Sequence, residues 1–183
     1  MTIQVLKKSI AITVLSLLGL GLGACSSDLP PPPCPEIQIL GAAAKLTRFK
    51  PGPGRDIIDV MHDNALTQFL SGCIYDIDET GAGELSVYLA PTIQSTRGPA
   101  FSGNVARMEY FIIVSDTQKN LLDEQRFPIE IAHAQNLPQV TWSLKEPNTL
   151  RIPLRSGQTG EDFQVFIGLQ LTRDELKYHQ DHP

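Results

Sequence analysis

Polar and apolar residues alternate along most of the chain after residue 35, with a period nearer two than 3.6. Glu36-Ile37-Gln38-Ile39-Leu40 reads as a short strand, and Gly41 to Leu46 as a single helical turn. Phe49 to Asp56 is a loop by its proline and glycine content. From Ile57 the period shortens, predicting strands over 65–70 and 73–77 with a break at Ser71-Gly72. Asp78 to Gly83 is a hairpin turn, and Glu84 to Ile93 a further strand, at an edge or bulged because of Pro91.

After a loop from Arg97 to Asn104, Met108 to Val114 is the most apolar run of this part of the chain and predicts a central strand. Leu121 to Ile131, Val140 to Trp142, Leu150 to Leu154 and Asp162 to Leu171 continue the pattern. In the last of these, Phe163, Val165, Ile167, Leu169 and Leu171 share one face. Thr172-Arg173-Asp174-Glu175 forms a capping box, predicting a helix from Arg173 to about His179. About seven strands separated by Gly, Pro and Asp turns, with no long helix, predict an all-β fold. The expected form is an immunoglobulin- or fibronectin-like β-sandwich with a short C-terminal helix, with a partly open β-barrel as the alternative.

The first 35 residues follow a different pattern. Lys7 and Lys8 precede an uncharged apolar stretch over 9–22, short for a membrane span. It ends in Leu22-Gly23-Ala24-Cys25, then Ser26-Ser27 and a proline run. These four residues resemble the lipobox of bacterial lipoproteins. The resemblance implies cleavage before Cys25, acylation of that residue, and a protein held in the membrane by its acyl chains. Ser26, where Asp would favour inner-membrane retention, implies the outer membrane of a Gram-negative cell, facing the periplasm. Residues 25–35, with four consecutive prolines at 30–33, form an extended stalk of roughly 30 Å. The expected organisation is a signal peptide at 1–24, a lipidated stalk at 25–35 and a β-domain at 36–183. Ala44-Lys45-Leu46-Thr47-Arg48-Phe49 and Leu171 to Leu176 further resemble small uncharacterised lipoproteins of proteobacteria. That resemblance brings no activity with it.

Cleavage would leave 159 of the 183 residues, with 13 basic against 20 acidic side chains and a formal charge of −7. An acidic body without a Lys/Arg cluster argues against nucleic-acid partners and against adsorption to anionic lipid. With Cys25 acylated, Cys34 and Cys73 remain as one pair in an oxidising compartment and are expected to form a disulfide. Without a Cys-x-x-Cys, such a bond is structural.

Several groups of residues invite chemistry. Asp76-Ile77-Asp78-Glu79-Thr80-Gly81 begins like a calcium loop, yet the twelfth position is Val87, and an acidic hairpin turn is the simpler reading. Asp56, Asp59 and Asp63 would share a face if helical, with His62 beside them, although a solvated face explains them as well. His133 has no visible partner, and His179 and His182 lie at the C-terminus. No Gly-x-Ser-x-Gly elbow occurs. Tyr75, Tyr88, Tyr110 and Trp142 would make a sugar platform only if clustered.

The expectation is a non-enzymatic interaction or assembly domain with no catalytic residue, metal or cofactor. It binds an unknown envelope protein through a sheet edge or the Arg97–Asn104 loop. The alternatives are a glycan or peptidoglycan hydrolase using Asp56, Asp59 or His62, and a calcium or small-ligand module at the 76–84 turn.

Overall fold

A computed structural model describes residues 31–134 and 137–182. The leader, Cys25 and the first part of the stalk lie outside the described residues. Nine strands are present among them: β1 (Glu36–Ile39), β2 (Lys45–Phe49), β3 (Val60–Ile77), β4 (Gly83–Arg97), β5 (Val105–Asp116), β6 (Leu121–Ala132), β7 (Gln139–Ser143), β8 (Asn148–Leu154) and β9 (Phe163–Leu169). One α-helix, α1 (Arg173–Asp181), follows.

The strands form two sheets, β1-β9-β5-β6 and β2-β3-β4-β7, with β8 also paired to β4. Neither sheet closes on itself, so the fold is an all-β sandwich and the barrel alternative does not apply. β1 runs parallel to β9, and the other pairings are antiparallel. The alternation read from the sequence sets the core. Leu85, Val87, Leu89 and Ile93 of β4 meet Met108, Tyr110, Ile112 and Val114 of β5 and Val165, Ile167 and Leu169 of β9, all buried. Each fully buried Leu or Ile contributes about 1.5–3 kcal/mol relative to exposure. No helix among the described residues is long and apolar enough to cross a membrane.

Three local expectations are corrected. The break at Ser71-Gly72 does not occur, and β3 runs unbroken for 18 residues. Lys45–Phe49 is a strand, leaving only Gly41–Ala43 as the 3-10 turn. Pro91 stands in an interior strand rather than at an edge. Its position explains this. The Pro91 carbonyl accepts from the Leu144 amide, so its missing N–H points to the side where β8 hands over to β7. β4 therefore loses no ladder bond to β3.

β3 also carries a bulge. Leu66 opposes Ile93 and Gln68 opposes Thr92, which leaves Thr67 as the extra residue, its hydroxyl 3.2 Å from the Thr92 carbonyl. One extra residue reverses which side chains face inward. Before it, His62, Asn64 and Leu66 are buried; beyond it, Phe69, Cys73 and Tyr75 pack against the core. Leu70 and Ile74 are thereby turned outward, 78 % and 59 % exposed.

Candidate functional site

Two features of β3 follow from this reversal of facing. The first is a clamp on the entering chain. Cys73 is bonded to Cys34, with Cα atoms 5.8 Å apart, as expected from the cysteine count. Two residues on, the Tyr75 hydroxyl donates to the Pro33 carbonyl at 2.6 Å and accepts from the Gly160 amide at 2.6 Å. Gly160 is required there, because a Cβ would meet the Pro33 oxygen at 2.3 Å and the Cys34 carbonyl carbon at 2.7 Å. The disulfide joins residues 39 positions apart, a constraint of roughly 3–4 kcal/mol on the chain-entropy view.

The second feature is an open edge. β2 pairs with β3 only as far as Ala65, and the Leu66 amide ends the ladder at the Ala44 carbonyl. Because Pro91 faces away from β3, its opposite residue Phe69 also turns its N–H and C=O away from β4. The same parity leaves the backbone groups of Ser71, Cys73 and Tyr75 pointing off the sheet. Among the described residues no backbone hydrogen bond reaches them. The only charge between Leu66 and Ile77 is Asp76.

The other edges are guarded. β1 has four residues and β7 five. β8 carries Arg151 and Pro153, and β6 carries Asp123, Glu124, Arg126, Pro128 and Glu130. β2 is covered by α1: the Thr47 amide donates to His179 Nε2 at 3.0 Å, and Phe49 meets Tyr178 edge-on at 4.9 Å. Thr172 and Glu175 cap α1 as the sequence predicts, and Glu175 additionally pairs with Arg48 at 2.6 Å. His179 is the acceptor in its contact and is therefore neutral; desolvation holds its pKa below the usual histidine range.

The candidate chemical groups are dispersed or already engaged. Asp56 and Asp59 cap a 3-10 turn at Ile57–Asp59, and the strand begins at Val60, so no helical face gathers Asp56, Asp59 and Asp63. Asp59 is buried against Lys50 at 2.7 Å, and that hydrogen bond above all holds its carboxyl below the ordinary range. Asp63 is exposed, while His62 is buried beside Asn64 at 2.6 Å. Desolvation, then the Arg48 charge, brings the His62 pKa down to about 4.

In the 76–84 turn, Asp78 Oδ1 accepts from the Thr80 amide, the Thr80 hydroxyl and the Ala82 amide, which makes it a turn carboxylate. Among the described residues no three His, Cys, Asp or Glu side chains are placed to hold a metal ion. Tyr110 is buried and hydrogen-bonded to Asn148, Tyr75 serves the clamp and Trp142 packs on the core, while Tyr88 stands half-buried on β4 between the inward Val87 and Leu89, so the four form no platform. The Arg97–Asn104 loop is tied down by Gly98 and Ala100 amides to Met61 and Val60 carbonyls.

One pairing had no sequence signal at all: Ser95 Oγ lies 2.9 Å from His133 Nε2, across 38 positions. Such a contact resembles a nucleophile and its base. Both residues are buried, His133 against the Phe101 ring, and His133 Nδ1 has no partner to orient the ring. Outside β3, a cleft of about 720 Å³ lies between Arg48, Arg107, Glu109, Glu130, Gln170 and Arg173. Its Arg107 is paired with Glu130 at 2.8 Å and its Arg48 with Glu175. The chain matches no family model, no curated protein and no solved structure.

Proposed function

We propose that this chain is a lipid-anchored, non-enzymatic interaction module of the bacterial outer membrane, facing the periplasm. Its β-domain takes a partner strand along the open edge of β3. The anchor is Cys25, residues 25–35 are the stalk, and the Cys34–Cys73 bond with the Tyr75 hydroxyl fixes the stalk to the domain.

The observation that carries the reading is the unguarded stretch of β3 beside edges that are short, charged, proline-bearing or covered. Strand addition supplies affinity through main-chain hydrogen bonds and specificity through side chains on alternate positions. Here Leu70 and Ile74 supply the outward apolar contacts. The lipobox-like Leu22-Gly23-Ala24-Cys25 and the oxidised pair support an exported location.

The test has two parts. Intact mass of the membrane-extracted protein should match a chain beginning at Cys25 and carrying acyl groups. A photo-crosslinking residue at Leu70 should capture a partner in cells, whereas one at Glu124 on β6 should not. Equal capture at both positions would remove the edge from the reading, and an unmodified Cys25 would remove the anchor.

A further inference from the structure

We propose that the strand received by this edge is β3 of a second copy of the same chain, paired antiparallel about a two-fold axis at Gly72. The inference rests on the edge-docking reading above. Four properties of the stretch support it.

The open length runs from Leu66, whose amide bonds the Ala44 carbonyl, to Ile77, where β3 ends. Gly72 lies close to its middle. A two-fold centred there uses nearly all of this edge, and an isologous antiparallel pair is the arrangement that a two-fold permits.

Neither a close contact nor its backbone conformation calls for a glycine at 72 within its own chain. A Cβ added there would meet nothing within 4 Å, and its φ lies outside the left-handed region. A glycine inside a strand weakens it, and such positions often mark the close approach of another backbone. In this register Gly72 opposes its own copy in a non-hydrogen-bonded pair, where Cα atoms approach to about 4.5 Å.

The side chains are self-complementary in the same register. Leu70 opposes Ile74 of the second copy, and the symmetry repeats the pair, so four outward apolar side chains form one patch. Asp76 opposes Gln68, an acceptor facing an amide. Shifting by two residues sets Asp76 against Leu70 in one direction, and Leu70 against Gly72 with Ile74 against Gln68 in the other. The backbone parity also agrees: Ser71 and Cys73, with Phe69 and Tyr75, are the residues whose amides and carbonyls point off the sheet.

The test uses the full chain in its own membranes. Copies bearing Leu70→Cys and Ile74→Cys, tagged to differ in size, are co-expressed and run without reductant, and each also singly. Non-hydrogen-bonded antiparallel neighbours lie within disulfide reach. The expected result is a reducible heterodimer in the mixture and monomer in each single expression. Mass analysis showing Cys34–Cys73 intact in both variants establishes that they fold.

No band in the mixture, or equal bands in the single expressions, overturns the proposal. The photo-crosslink at Leu70 separates the two levels. Capture of a different protein with no heterodimer leaves edge docking standing and removes self-pairing. Failure of both removes both. As a second variant, Leu70→Lys with Ile74→Lys, at exposed positions, should abolish the self-crosslink formed by a photo-crosslinking residue at Gln68.

Discussion

Cys73 and Tyr75 stand two positions apart on the inward face of β3 and hold the same short piece of chain, one through a covalent bond to Cys34 and the other through a hydrogen bond to Pro33. The Tyr75 hydroxyl also satisfies the amide of Gly160, so it joins three segments remote in sequence. Tyr75→Phe should therefore leave a donor and an acceptor unpaired at little change in shape. The expected loss is about 0.5–1.5 kcal/mol, since water can reach the Pro33 carbonyl, read from urea denaturation. Proteolysis within 31–35 should accelerate while the disulfide remains.

Gly160→Ala tests the closeness of that packing. The added methyl would meet the Pro33 oxygen at 2.3 Å, a backbone atom with the disulfide immediately after it. The expected cost is about 1–3 kcal/mol. Thiol titration under native conditions should detect more reduced Cys34 and Cys73 than in the wild type. Unchanged stability and no free thiol would show that the segment has room to move.

The pH dependence has a definite sign. Folding lowers the His62 pKa from 6.5 to about 4, chiefly by desolvation, so the unfolded chain takes up the proton first as the pH falls. Stability is fully present above pH 6.5 and is lost between there and about 4, to a total of about 3 kcal/mol. His133 and His179 are shifted in the same direction by burial. Urea midpoints measured at pH 7, 5.5 and 4.5 should fall in that order, and His62→Gln should flatten the fall.

His179→Ala removes the acceptor of the Thr47 amide and uncovers β2. Hydrogen exchange at Thr47 should quicken markedly, with about 1 kcal/mol lost overall. Exchange in β5 should be unaffected, since α1 packs chiefly on β2 and the Gly41–Ala43 turn.

The sheets and the helix were legible because burial on one face imposes a period of two, and because a capping box is a local signal. Phe163, Val165, Ile167 and Leu169 display this, as do Thr172 and Glu175. β3 was not legible as one strand. The bulge at Thr67 shifts the buried set from even to odd positions, so the alternation looks interrupted when only its facing has changed. Pro91 misled for a related reason: whether a proline harms a strand depends on which neighbour its nitrogen faces, and β8 gives way to β7 there.

The disulfide followed from counting cysteines. Its companions Tyr75 and Gly160 did not, because no short-range pattern links a tyrosine to a glycine 85 positions away. The open edge is a property of where β2 begins, and in sequence Lys45 and Leu46 read as part of a helical turn and Phe49 as the start of a loop.

The ring closed by Cys34 and Cys73 also decides where mechanical load goes. A pull arriving from upstream of Cys34 leaves the main chain through the sulfurs and enters β3 part-way along its 18 residues. β1, whose four register pairs with β9 would otherwise unzip one after another, lies inside the ring and bears no tension. Neither do β2 and the first part of β3, from Val60 to Gly72. The load passes to Cys73–Ile77 and their pairing with Gly83–Val87 of β4, while the shortest strand of the sandwich is by-passed.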